Sequence, residues 1–216
     1  MLAQSKQPAP GDGARHKRAT ILAAAFERFA HYGYRHTAME DIARVAGISR
    51  AAVYLYFKNK DEIFRALSQQ LHERALAAGQ DACRAHERAP IELRIRQVLD
   101  AKLGNFFDVV HGSAHARELL DENNRICGDV SAAFRARYLR LLTQLIRAAV
   151  RRGELAPARA GLTPPAAAEL LVDSAKCIET GAPLTPAAYR RRLAQLVRVL
   201  VAGLGGTTGS APQRTP

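Results

Sequence analysis

With 216 residues, 48% of them hydrophobic, the chain can bury a sizeable core, either as one large domain or as a small domain joined to a larger one. Ala, Leu, Arg and Glu dominate while alternating Val, Ile and Thr are scarce, which argues against sheet and predicts an all-α fold. The formal net charge of +12 is unevenly spread: residues 1–60 hold 10 Lys plus Arg against 4 Asp plus Glu, and the other 156 residues hold 22 against 16, so positive charge concentrates where an anionic partner is most readily met.

In chain order, residues 1–13 combine Pro, Gly and polar side chains without apolar periodicity and predict a disordered arm. Its Lys6, with Arg15, Lys17 and Arg18 just beyond, lies within reach of an anionic backbone. A first helix from Arg15 to about Tyr32 carries an apolar stripe of Ile21, Leu22, Ala25, Phe26 and Phe29 and stops at Gly33; it is expected to pack against Ile42, Val45 and Val53. Two short helices follow between His36 and Lys60. Thr37 and Glu40 have the spacing of a capping box, Met39, Ile42, Ala43 and Ala46 share a face, Gly47 ends the helix, and Ser49 caps the next. Helix, Gly-containing turn and helix make a helix-turn-helix. In the second helix, Arg50 to Phe57, Val53 and Phe57 point inward, which leaves Arg50, Ala51, Tyr54 and Tyr56 outward with Lys58 and Lys60 behind them. Cations and phenol hydroxyls at one end suit a phosphate backbone, and the Arg50 guanidinium can pair with guanine in a bidentate manner.

Thr37, Asp41-Ile42-Ala43, Ala46-Gly47-Ile48-Ser49, Val53-Tyr54, Tyr56-Phe57 and Lys60 follow the order and spacing of the DNA-binding domain of TetR family regulators, which residues 15 to 75 closely resemble. The resemblance implies a homodimer that sets two recognition helices in successive major grooves of a palindromic operator on double-stranded DNA. It also implies that Thr37, Tyr54, Tyr56 and Lys60 clamp phosphates, and that a small-molecule effector releases the protein, most often a repressor, from its operator. Two departures stand out: Ala51 replaces a common Gly and can offer its methyl to thymine, and Leu55 stands where an aromatic residue is usual.

Asp61 and Glu62 open a fourth helix that buries Ile63, Leu67, Leu71, Ala75 and Ala78 and is expected to end at Gly79. The expected organisation is therefore a helix-turn-helix domain over 14–60, a connecting helix over 61–79, a ligand-binding and dimerisation domain over 80–204, and a disordered tail over 205–216. Pro90 opens the next helix, with Ile95, Val98, Leu99, Leu103, Phe106 and Val110 on its apolar face. His111-Gly112-Ser113 interrupts it, a short helix follows, and Asn123-Asn124 marks a further bend before a long helix to about Arg152. Leu103, Phe106, Phe107, Val110, His115, Leu119, Phe134 and Tyr138 are candidates for an apolar effector cavity suited to a small hydrophobic ligand. Thr163-Pro164 and Thr185-Pro186 each start a helix with a cap followed by proline. These last two helices carry more apolar surface than one neighbour covers, and Leu171, Ala175, Leu193, Leu196, Val197, Leu200 and Leu204 are candidates for the dimer interface that the family resemblance implies.

No metal or other cofactor is expected. The glycine break separates His111 from His115, and Cys83, Cys127 and Cys177 form no CxxC pair, a sparse set that fits a reducing cytoplasm. No apolar stretch follows Met1-Leu2 and no segment reaches about eighteen uncharged apolar residues, so a cytoplasmic protein outside the membrane is expected. The alternative to a regulator is an all-α enzyme or binding protein for an anionic ligand such as an acyl-CoA. Against an enzyme stand the lack of a glycine-rich phosphate loop and of a nucleophile elbow.

Overall fold

The structure, a computed structural model, describes residues 12–111, 113–178 and 184–206; the side chains of residues 103 and 105–111 are outside that description, as are the expected terminal arm through residue 11 and the tail from 207. Among the described residues the fold is all-α, with no strand and no helix long and apolar enough to cross a membrane. The helices are α1 (Asp12–Tyr32), α2 (Met39–Val45), α3 (Arg50–Tyr54), α4 (Lys60–Ala85), α5 (Ile91–His111), α6 (Ala116–Arg151), α7 (Pro164–Cys177) and α8 (Pro186–Gly203), with a 3-10 turn at Pro157–Ala160. They form two compact units. The first runs through residue 70 and takes in residues 113–128; the second comprises residues 71–111 and the chain from 129 onward.

In the first unit the stripe on α1 buries Ile21, Leu22, Ala25 and Phe29, as its spacing requires, with α1 packed on α2 and α2 on α3, whose Ile42 and Val53 are fully buried. Three aromatic rings hold its centre: Phe29, Tyr34 and Phe64 lie 5.2 to 5.5 Å apart, tilted or edge to face. Two expectations change here. Phe26 and Val45 are each 37% exposed, because they sit at the margin of the α1 and α2 faces rather than on the line of contact.

The second unit is built on α5, α7 and α8 packing together, with the C-terminal part of α6 completing the core through Tyr138, Leu142 and Ile146. The caps are as the sequence predicts. The Thr163 hydroxyl accepts from the Ala166 amide and the Thr185 hydroxyl from the Ala188 amide, each ahead of a proline at the first helical turn. The stop expected at Gly79 is absent: α4 continues to Ala85, and a β-carbon at Gly79 would lie 3.3 Å from the Tyr138 hydroxyl. Glycine there lets α4 and α6 approach, a packing gain that offsets its cost in a helix of about 1 kcal/mol relative to Ala. The bend expected at Asn123-Asn124 is displaced to Cys127, the one residue inside α6 with non-helical dihedrals (φ −122°, ψ 17°).

Candidate nucleic-acid interface

The turn between α2 and α3 is fixed by backbone chemistry. Gly47 adopts φ +67°, a left-handed conformation that closes α2, and the Ile48 amide donates back to the Ala43 carbonyl at 3.1 Å. Ser49 then caps α3, its hydroxyl accepting from the Ala52 amide at 3.1 Å. With the start of α3 set, Val53 and Phe57 are buried at 0% and 1% exposure, and Arg50, Ala51 and Tyr54 face outward. Regular helix ends at Tyr54, shorter than the span to Phe57 expected from sequence; Leu55 follows at 83% exposure and Tyr56 is half-buried. The Arg50 guanidinium donates to the Tyr54 hydroxyl at 3.5 Å, stands 5.6 Å from the centre of the Tyr54 ring and lies 4.0 Å from Glu40, with its side chain 60% exposed. A guanidinium, a methyl, a phenol and an isobutyl group thus share one small outward surface, with both hydrogen-bonding and apolar contacts for a groove floor.

Two of the expected phosphate clamps are occupied within the unit. Thr37 is 1% exposed and its hydroxyl donates to the Gly33 carbonyl at 2.7 Å. Nor does Thr37 cap α2. The N-cap is Ala38, whose amide donates to the Asp41 carboxylate at 3.0 Å, so the capping carboxylate is Asp41 rather than Glu40. The Lys60 ammonium donates to the carbonyls of Tyr34 at 2.7 Å and Thr37 at 2.8 Å, and lies 4.3 Å from the Tyr34 ring centre. Loss of water around it lowers the Lys60 pKa from the ordinary lysine value. Next to it the Tyr34 hydroxyl donates to Asp61, and burial, followed by that hydrogen bond, raises the Tyr34 pKa.

The Gly33–Arg35 turn is held by residues that the sequence reading did not assign to it. The Arg35 amide donates to Glu118 at 2.7 Å, and the Arg35 side chain donates through Nε to Glu122 at 3.2 Å. Glu122 also accepts from Arg125 Nε at 2.6 Å, and this bond, the largest cause, holds the buried Glu122 carboxyl below its usual range. The Ser113 hydroxyl donates to the Ala30 carbonyl at 2.6 Å. The one available signal was the acidic pair at helical spacing, Glu118 and Glu122 with Arg125 beyond, which marks a face but not its partner.

Of the expected effector contacts, Leu103, Phe106, Phe107 and Val110 have side chains outside the described residues. His115 and Leu119 belong to the first unit, where His115 lies 3.5 Å from Glu118. Phe134 and Tyr138 belong to the second. Phe134 stacks on His72 with ring centres 5.1 Å apart, and the Tyr138 hydroxyl donates to the Ala75 carbonyl at 2.5 Å. A cleft of about 300 Å³ in the second unit is lined by Cys83, Arg94, Leu141, Leu145 and Arg152 among others, and shares no residue with the expected site. The expected dimer face also needs correction. Leu171, Ala175, Leu193, Val197 and Leu204 are 0 to 2% exposed within their own unit, because α5 covers the apolar surplus that the sequence assigned to a partner; Leu196 and Leu200 pack against the same core. Outward on these helices stand Leu170, 41% exposed, and Val199, 68% exposed.

The sequence profile of bacterial regulatory proteins, tetR family, matches residues 21–67, the stretch that builds α2, α3 and the knot around Lys60. Over that stretch the chain is similar to the DNA-binding domain of TetR family regulators. Among curated relatives, the HTH-type transcriptional regulator TtgR of Pseudomonas putida is 43% identical over 60 residues, 28% of this chain and 29% of TtgR. The match thus spans less than a third of that relative's length. Two solved structures extend the likeness in fold. A TetR-family protein from Mesorhizobium loti aligns at a TM-score of 0.70 and 21% identity, over 88% of this chain and 97% of that one. SmeT, the repressor of a Stenotrophomonas maltophilia multidrug efflux pump, aligns at 0.63 and 23% identity, over 92% and 97%. TtgR and the Mesorhizobium loti protein are described as transcriptional regulators.

Proposed function

We propose that the protein is a dimeric, ligand-responsive transcriptional repressor of the cytoplasm that reads a palindromic operator through α3. The observation that carries this is the outward surface of Arg50, Ala51, Tyr54 and Leu55 on a helix whose start is fixed by Gly47 and Ser49. Arg50 supplies the directional contact, a bidentate pair with guanine, and Ala51 the apolar contact with a thymine methyl. Tyr54 and Tyr56 meet phosphate, whereas Thr37 and Lys60 act from inside by fixing the turn that presents α3. SmeT, a repressor, supports the direction of regulation by its likeness in fold. The second copy joins through the outward side of α7 and α8, where Leu170 and Val199 are exposed. A small hydrophobic effector is bound by the second unit against α5 and α6, at Leu103, Phe106, Phe107 and Val110 with Phe134 and Tyr138. Its differential affinity for two conformations shifts the population away from the operator-competent one.

Selection of bound fragments from a random duplex pool at near-physiological salt tests this function. Enrichment of a palindrome with half-sites about one helical turn apart is the expected result. Sequence-independent recovery alone would remove the operator-reading function.

A further inference from the structure

The cleft of about 300 Å³ in the second unit lies where the end of α4, the start of α5 and the C-terminal part of α6 meet. Its lining sets three guanidinium groups, those of Arg84, Arg94 and Arg152, against one carboxylate, Glu87. Two of the three cations have well-made partners. Arg84 donates to Asp81, and Arg152 grips both oxygens of Glu154, through Nε at 2.5 Å and a terminal nitrogen at 3.3 Å. Arg94 lacks such a match. It is 3% exposed, its terminal nitrogen reaches only Glu154 Oε2, at 3.3 Å and shared with Arg152, and its buried Nε has no hydrogen-bond partner among the described residues. A guanidinium withdrawn from water with a donor unmet is costly, and an anion beside it relieves that cost. Glu154 cannot complete it, because both of its oxygens already take the Arg152 fork. The Cys83 thiol does not serve as the counter-charge either. Burial pushes its pKa up, against the opposing pull of Arg94 and Arg84, so it stays neutral.

We propose that this cleft binds a small organic carboxylate, with the carboxylate on the Arg94 guanidinium and an apolar body against Leu141, Leu145 and Ala148. Those three side chains recur at spacings of four and three on one face of α6 and supply hydrocarbon beside the charge. A planar anion with two acceptor oxygens suits a guanidinium fork, whereas inorganic phosphate would leave further charged oxygens against that hydrocarbon. The volume is at the lower end of the range for ligand sites, about 300–1,000 Å³, which admits a body the size of a benzene ring and excludes a molecule as large as an acyl-CoA. The site goes beyond the effector contacts proposed above, with which it shares no residue, and it selects charge where they select apolar surface.

Isothermal titration calorimetry of the DNA-free full chain with sodium benzoate, at low chloride, tests the site. One benzoate per protomer is expected, with benzamide, its neutral analogue, and inorganic phosphate each at least about tenfold weaker. Arg94→Gln should weaken benzoate by about ten- to a hundred-and-fiftyfold through the loss of charge-assisted hydrogen bonds. Ala148→Phe keeps every charge, fills the apolar side of the cleft and should abolish binding. Arg147→Gln removes an exposed cation of the same helix outside the cleft and should leave affinity within about twofold. Circular dichroism and melting establish that the variants fold; if Arg94→Gln does not, Ala148→Phe against the Arg147→Gln control decides. No binding of benzoate would overturn the site, and binding unchanged in the folded variants would place the ligand elsewhere and overturn it equally. An equal loss in Arg147→Gln would overturn it by making general charge the cause. Benzamide or phosphate bound as tightly as benzoate would overturn the carboxylate assignment. Each of these failures leaves the operator-reading function untouched, since no DNA takes part in the measurement.

Discussion

Replacing Lys60 by Met tests the internal knot, because it keeps most of the aliphatic stem and removes the ammonium. Three hydrogen bonds are lost, at 2.7 Å to Tyr34, 2.8 Å to Thr37 and a weaker one at 3.5 Å to Arg35, with Tyr34 and Thr37 at most 5% exposed. Charge-assisted bonds contribute about 1.5–3 kcal/mol each, and the relief of desolvating the ammonium returns part of that, so a net loss of about 2–3 kcal/mol is expected. Because the knot lies in the first unit, the loss should be read there rather than from global melting. The assay is native-state hydrogen exchange at the Ile42 and Val53 amides, which bond to Ala38 and Ser49. Their protection should fall by about thirty- to a hundred-and-fiftyfold in DNA-free protein. A pure phosphate clamp predicts no change without DNA. Unaltered protection at both amides would therefore refute the internal role and return Lys60 to the DNA surface.

Thr37→Val should cost about 1–2 kcal/mol, measured by urea denaturation, because the Gly33 carbonyl loses a buried donor, while Thr37→Ser should retain most of the stability. Ser49→Ala removes the cap of α3 and should cost about 1 kcal/mol of first-unit stability by the same hydrogen-exchange measurement. Arg50→Ala should lose about 1–3 kcal/mol of discrimination at one base pair of each half-site in competition binding, with the rest of the preference intact. On the acid side, the folded-state pKa values are depressed for Glu122, chiefly by the Arg125 hydrogen bond, and for Asp41, chiefly by the Ala38 amide. Their stabilisation is complete above the ordinary carboxylate range and is lost as pH falls through the depressed values, so melting temperature should drop in strong acid and Glu122→Gln should flatten that drop.

What was legible in the sequence was local. Gly47, Ser49, Thr163 and Thr185 act within three or four residues of themselves, so their spacing alone locates helix ends. Inward pairs such as Val53 and Phe57 follow from helical periodicity. Partners distant in sequence were not legible: Lys60 looked like a clamp because nothing nearby reveals the carbonyls and ring it meets, and Thr37 looked like a cap because its spacing to Glu40 fits one as well as its bond back to Gly33 does. Gly79 illustrates the same limit, since a glycine that ends a helix and one that admits a neighbouring helix are identical in sequence. The α7 and α8 stripes were read correctly as apolar but given the wrong neighbour, because an amphipathic pattern states how much surface must be covered and not which helix covers it.

The reader is not a detachable cassette. Its turn is closed by Glu118, Glu122 and Ser113, which arrive more than eighty positions later in the chain. A chimera joined at residue 70 would set the Arg35 turn of one protein against the α6 face of another, with Arg35 facing whatever stands at positions 118 and 122. Recombination among relatives is therefore constrained: a new operator specificity travels cleanly by substitution on α3, whereas exchange of the whole N-terminal segment must carry residues 113–128 with it.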